Sequence, residues 1–161
     1  MELKKSFNIS RFLMISFVLI FGIYIWYGLQ PAEAAHTKDS LISIPSLGIE
    51  SDVIKAEMTD GELNVPATVA ASYSRNKNKT LIYGHSVSVF KDLNHISIGD
   101  TITYNGETYY VTNIDIVAKH EINMYEVLAR EDNETMVLMT CEGELYGNGD
   151  SSHRLIVTAS R

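Results

Sequence analysis

Thr135-Met136-Val137-Leu138-Met139-Thr140-Cys141 reads as a buried strand, and it ends on the only cysteine of the chain. Downstream, Glu142 to His153 is polar, contains Gly143, Gly147 and Gly149, and reads as a short loop. A second apolar run follows, Arg154-Leu155-Ile156-Val157-Thr158-Ala159, and the two runs read as a hairpin. Such a hairpin brings Cys141 and Arg154 to the same end of a sheet, side by side. A cation beside a thiol favours the thiolate, which is the nucleophilic form.

The chain has 161 residues, 45% hydrophobic and 20% charged, the composition of one globular domain with its own core. Phe12 to Leu29 stands apart because it carries no charged residue. At about 1.5 Å per residue it is long enough to cross most of a hydrocarbon core. Trp26 and Tyr27 lie near its far end, and Lys4, Lys5 and Arg11 precede it, so the rest of the chain is expected to face outward. Ala32-Glu33-Ala34 has the pattern of a signal cleavage site, but signal cores usually run only about 7–15 residues, which favours an uncleaved anchor. The expected layout is a cytoplasmic N-terminus over 1–11, an anchor over 12–29, a linker over 30–40 and an extracytoplasmic domain over 41–161. In an oxidising compartment structural cysteines come in pairs, so a single one points to an intermolecular bridge, a working thiol or an inert buried residue. The net charge of -7, with no basic block outside the first residues, argues against nucleic acid as a partner.

Along the chain, Leu41 to Pro45 reads as a short strand stopped by its proline, and Leu47 to Ile54 as a second extended piece. Asp60-Gly61 marks a turn, and polar Tyr73 to Lys79 reads as a loop. Thr80-Leu81-Ile82-Tyr83-Gly84-His85-Ser86 is a short apolar strand ending in Gly-His-Ser, where the glycine permits a turn or a close approach. Val87 to Leu93 is expected to form a helical turn, and Gly99-Asp100 another turn. Asn105-Gly106 joins Thr101–Tyr104 to Thr108–Val111 as a hairpin whose second strand is expected to run on through Ile116 and Val117. Glu121 to Arg130 has Met124, Val127 and Leu128 at helical spacing. Many short strands, several turn signals and one or two short helices predict a mostly β, compact barrel preceded by one transmembrane helix.

His85, Cys141 and Arg154 all fall at strand ends. A cysteine acting near neutral pH needs a proton acceptor or an electropositive setting, and imidazole is the usual partner. Arginine offers fixed donors where an oxyanion develops on an attacked carbonyl. Together these groups suit acyl transfer through a thioester. His153 competes with His85 for the place beside the thiol, whereas His36, His95 and His120 lie in polar loops and read as solvated. A metal site built from Cys141, His85, His120 and His153 lacks any local ligand spacing, so no metal is expected.

The chain resembles the sortases, membrane-anchored cysteine transpeptidases of bacteria with a Gram-positive type of wall. The likeness spans nearly the whole sequence. Leu41 to Ile49 is similar to the family's first strand, Tyr83-Gly84-His85-Ser86 to the segment bearing its histidine, and Ile98-Gly99-Asp100-Thr101-Ile102 to its Gly-Asp turn. Val137-Leu138-Met139-Thr140-Cys141 is similar to the signature Thr-Leu-x-Thr-Cys, with Val137 in place of the first threonine, and Arg154-Leu155-Ile156-Val157 to the final arginine-bearing strand. The resemblance implies a closed eight-stranded barrel. It also implies that Cys141 attacks the carbonyl of a sorting signal, often of the Leu-Pro-x-Thr-Gly type, on a secreted protein. His85 would protonate the leaving amine, Arg154 would stabilise the oxyanion, and an amine of a wall precursor or a pilin lysine would resolve the thioester. Thr140, with His153 nearby, would belong to the oxyanion or substrate environment. No cofactor is implied beyond the calcium that some members bind; here Glu126, Glu131, Asp132 and Glu134 read instead as a solvated face. The short 142–153 loop leaves the accepted motif open, and the short 30–40 linker favours wall attachment over pilus assembly.

Two other readings compete. A membrane-tethered barrel that binds peptides at a sheet edge without cutting them predicts an inert, buried Cys141. A transpeptidase of the L,D type also uses cysteine and histidine, but it carries Ser-His-Gly-Cys where this chain has Met139-Thr140-Cys141.

Overall fold

A computed structural model describes residues 38–161 apart from 57, 60, 61, 131, 148 and 149. The expected anchor over 12–29, His36, Glu131 and the Asp60-Gly61 turn lie outside the described residues, as does 30–37 of the expected linker. Residues 38–40 of that linker instead open the first strand. The strands are β1 (Lys38–Ile44), β2 (Ile49–Lys55), β3 (Met58–Thr59), β4 (Glu62–Leu63), β5 (Ala70–Asn76), β6 (Lys79–Tyr83), β7 (Thr101–Tyr104), β8 (Glu107–Ala118), β9 (Thr135–Leu145) and β10 (Ser151–Ser160). Eight of them close into a barrel in the order β1-β2-β5-β6-β9-β10-β8-β7, while β3 and β4 pair only with each other. The β2–β5 and β6–β9 pairs run parallel, and the other barrel pairs antiparallel.

Inside the barrel, Ile42, Ile44, Val53, Ile82, Ile102, Leu138 and Val157 are wholly buried. A second cluster covers the outer surface of β5, β6 and β9, formed by Ala71, Leu81, Tyr83, Val137 and Leu128. This is why the 135–141 run has no polar alternation: a strand covered on both faces has no solvent side. The outer cover includes α1 (Met124–Val127), a single turn capped by Asn123, whose Oδ1 accepts from Tyr125 N at 3.1 Å. Met124, Val127 and Leu128 pack inward as their spacing predicts, but the helix is much shorter than the 121–130 expected, and Lys119–Glu121 forms a separate 3₁₀ turn. Asn76 Nδ2 donates to Leu128 O at 3.1 Å and Arg75 stacks over the Tyr125 ring at 5.1 Å, tying this cover to β5.

Two expected loops are corrected. Tyr73–Asn76 belongs to β5 and Lys79 begins β6, so only Lys77-Asn78 turns, with Asn76 Oδ1 accepting from Asn78 N at 3.1 Å. The polarity came from an exposed stretch of strand and an Asx turn together. Glu142 to His153 is likewise mostly ladder, since β9 continues to Leu145 and β10 starts at Ser151. Glu142 to Leu145 pairs with Ser151 to His153 as a two-stranded ribbon, in which Gly143, Glu144 and Leu145 are exposed and no core demands apolar side chains. Val87 to Leu93 is a series of turns, with a 3₁₀ helix only at Leu93–His95. The Asn105-Gly106 hairpin forms as expected, both residues having positive φ (54° and 81°), and β8 runs through Ile116 and Val117.

Burial sets the expected mutational costs. Leu138→Ala should destabilise the domain by about 2–5 kcal/mol in urea unfolding. Val87→Ala, at a side chain 79% exposed, should stay within about 0.5 kcal/mol.

Candidate active site

The parallel β6–β9 ladder pairs Lys79 with Thr135 and continues residue for residue to Tyr83 with Met139. Gly84 N–H then donates to Met139 O at 3.3 Å, which carries the register past the end of β6. His85 therefore leaves the ladder level with Cys141. On the other side of β9, Cys141 stands directly opposite Arg154, and Arg154 opposite Val117 of β8. Paired residues in a ladder share a face, so Cys141 and Arg154 do, and His85, two residues past the end of β6, continues their row. The next row down is Tyr83, Met139, Ile156 and Asp115.

One hydrogen bond and one close contact beneath the row explain why Gly-His and Thr-Cys meet. Thr140 is buried, and its hydroxyl donates to Gly84 O at 2.8 Å from the inward side of β9. Gly84 is also buried; a Cβ there would lie 3.1 Å from the Phe90 ring, so the glycine serves close packing rather than an unusual backbone angle. Thr140 thus holds the two strand ends together from the face opposite the thiol.

The outer side of His85 is fixed by the segment before β5. Its Nε2 lies 3.3 Å from Val65 O, Tyr83 OH donates to Asn64 O at 3.1 Å, and Ser88 Oγ donates to Ala67 O at 2.8 Å. A carbonyl oxygen only accepts, so Nε2 carries a hydrogen in this contact and Nδ1 is the ring atom left to exchange a proton. Burial pushes the Tyr83 hydroxyl up to about 12, which keeps it a donor.

Arg154 is 15% exposed and strongly engaged. Its Nη1 donates to Ser151 O (3.1 Å) and His153 O (2.9 Å), and Nη2 donates to Asp150 Oδ1 at 2.7 Å. Asp150 also receives Lys119 Nζ on its other oxygen and Ser151 N–H at 2.8 Å. The Lys119 ammonium first, then the Arg154 guanidinium and that N–H, hold its carboxyl well below the usual range. Sequence reasoning missed Asp150, and only its place four residues before Arg154 hinted at it.

His153 lies in the ribbon, opposite Glu142 and Ala118, with Nδ1 2.7 Å from Ser152 Oγ. It shares Cys141's neighbourhood but not its row. His95 and His120 are exposed on other segments. Cys141 is half-buried and borders a cavity of about 210 Å³ lined by Ser86, Val87, Phe90, Glu142 and Ser151. A separate depression of about 290 Å³ lies below the row, between α1 and Val117, Val137 and Ile156. Of the carboxylates named above, Glu126 accepts from Asn123 and Glu134 pairs with Arg161. Among the described residues no three His, Cys, Asp or Glu side chains gather as a metal would need.

Residues 42–161 match a family described as the sortase domain. The chain is 29% identical over 121 residues to sortase A of Bacillus anthracis, covering 72% of itself but only 56% of that relative. Among solved structures, a lid mutant of sortase A from Corynebacterium diphtheriae is similar at 25% identity and a TM-score of 0.61, covering 87% of this chain and 79% of that one. Sortase C-1 from Actinomyces oris is similar in fold at 23% identity and a TM-score of 0.59, over 86% and 78% of the two chains.

Two outcomes follow from these contacts. Thr140→Val should cost about 1–3 kcal/mol in chemical denaturation, because it orphans a buried carbonyl while keeping the side-chain volume. Tyr83 should make stability fall as pH rises from about 10 towards 12. The unfolded chain loses that proton near 10, whereas the folded one keeps it to about 12. In Tyr83→Phe the fall over that window should be shallower, as read by unfolding at stepped pH.

Proposed function

The chain belongs to the sortase family, whose members are cysteine transpeptidases, and from that membership we propose that Cys141, His85 and Arg154 carry out a thioester-mediated acyl transfer on a sorting signal. The observation that carries the reading is the shared row: a nucleophile and a fixed cation paired on adjacent strands and a proton carrier just past the end of a third, with a cavity bordered by Cys141.

In this mechanism the Cys141 thiolate adds to the scissile carbonyl carbon, and the carbonyl electron pair becomes an oxyanion facing Arg154. The intermediate collapses, the C–N bond breaks, and His85 gives its Nδ1 proton to the departing amine. An acceptor amine then adds to the thioester and passes a proton to His85. The second collapse releases the new amide and returns the thiolate. His85 begins each cycle charged and ends it charged, so no outside acid is consumed. Tyr83 and the Asn64–Ala67 segment keep the ring oriented, and Thr140 keeps it level with the sulfur.

The donor is a secreted protein bearing a signal of the Leu-Pro-x-Thr-Gly type. The acceptor is an amine of a wall precursor rather than a pilin lysine, because few residues separate the 12–29 stretch from β1. That stretch anchors the chain as a single pass, with Lys4, Lys5 and Arg11 inside and the catalytic domain outside.

Mass spectrometry after incubation with a panel of sorting-signal peptides should show an adduct carrying the peptide's N-terminal half on the parent and none on Cys141→Ala. An added amine should discharge it. Adduct formation should fall by about 10²-fold or more in His85→Ala and in Arg154→Ala. Peptide binding with no adduct, and a Cys141 inert to small thiol reagents in the folded protein, would sink the catalytic reading in favour of a binding barrel.

A further inference from the structure

Asp150 is bonded to the arginine of the row, and the acyl-transfer steps give it no task. It is held on several sides, by Lys119 from the turn after β8 and by Ser151 N–H at the start of β10, and it presents Oδ1 to Arg154 Nη2. A carboxylate fixed in this way fixes its partner in turn.

The donor inventory of Arg154 shows the consequence. A guanidinium has five N–H bonds: two on each Nη and one on Nε. Both hydrogens of Nη1 are taken by the carbonyls of Ser151 and His153, and one of Nη2 by Asp150. That leaves Nε–H and one Nη2–H. The carbonyl contacts alone tether one corner of a planar group, and a plane held at one corner still swings. The Asp150 bond at a second nitrogen removes that freedom and commits the remaining donors to one direction. The Arg154 side chain is only 15% exposed, which limits replacement of the carboxylate by water.

We propose that Asp150 is a positioning residue for acyl transfer: with Lys119 behind it, it sets the guanidinium plane of Arg154 so that Nε–H and one Nη2–H meet the substrate oxygen at Cys141. The assignment rests on the transpeptidase reading above and concerns orientation, since Asp150 itself touches no reacting atom.

The test is a double-mutant cycle in the full-length chain in detergent, reading single-turnover acylation of Cys141 by the best peptide of the panel. Asp150→Ala should slow acylation about tenfold, the scale of one lost charge-assisted hydrogen bond. In an Arg154→Ala background the same change should cost less than twofold, and Asp150→Glu should recover part of the loss in the parent background. Equal losses in both backgrounds would overturn the assignment alone. No acylation of the parent by any peptide would overturn the transpeptidase reading and this assignment with it. A second readout is independent of turnover: ¹⁵N relaxation of the Arg154 Nε–H signal, identified by its absence in Arg154→Lys, should show greater mobility in Asp150→Ala than in the parent. Unchanged mobility would also overturn the proposal.

Discussion

The parallel pairing of β6 with β9 is the constraint on which the rest of the site depends. Its ladder steps from Lys79/Thr135 to Tyr83/Met139 without a bulge, and Gly84 extends it. A slip of one residue would send His85 and Cys141 to opposite faces, because side chains alternate along a strand. Two features prevent the slip. Leu138 and Ile82 are wholly buried inside the barrel while Val137 and Leu81 are buried outside it, so a one-residue slip would exchange inner and outer residues of one strand. The Thr140 hydroxyl then closes on Gly84 O at the one level where a buried donor meets a buried acceptor.

From that ladder the site grows sideways. Antiparallel pairing of β10 on β9 adds Arg154 to the row, and β8 on β10 adds Val117. Cys141 and Arg154 are strand residues and His85 follows two residues after the end of β6, so backbone hydrogen bonds set the level of each, with loops adjusting side-chain direction. The Asn64–Val65 carbonyls hold Tyr83 and His85, and Asp150 holds Arg154. Rigid strands supply placement and short polar contacts supply aim, so a modest barrel can present three groups to one carbonyl. Arg154 also differs from an isolated cation awaiting substrate, since most of its donors are already committed to Asp150 and to the Ser151 and His153 carbonyls at the start of β10.

Much of this was legible in the amino-acid order. The 135–141 run, the Asn105-Gly106 hairpin and the inward faces of Met124, Val127 and Leu128 are local signals, and each formed as its pattern predicts. The failures have a common cause. Tyr73–Asn76 and Glu142–Leu145 are polar strands, and polarity reads as loop whenever the solvent that permits it cannot be seen from sequence. Pairing alone makes these segments strands.

The order of residues by itself determined the family, the barrel class and the chemical types available, because one thiol, a Gly-His-Ser strand end and an arginine opening the last apolar run are written locally. Only the tertiary structure decided which histidine stands level with the thiol. His85 and Cys141 are far apart in the chain and meet through a parallel ladder, which leaves no short-range trace, whereas His153 is near in sequence yet falls outside the row. It likewise decided the partner of Arg154, since the Lys119–Asp150–Arg154 chain joins the end of β8 to the start of β10, brought together by the β8–β10 pairing of Ala118 with His153.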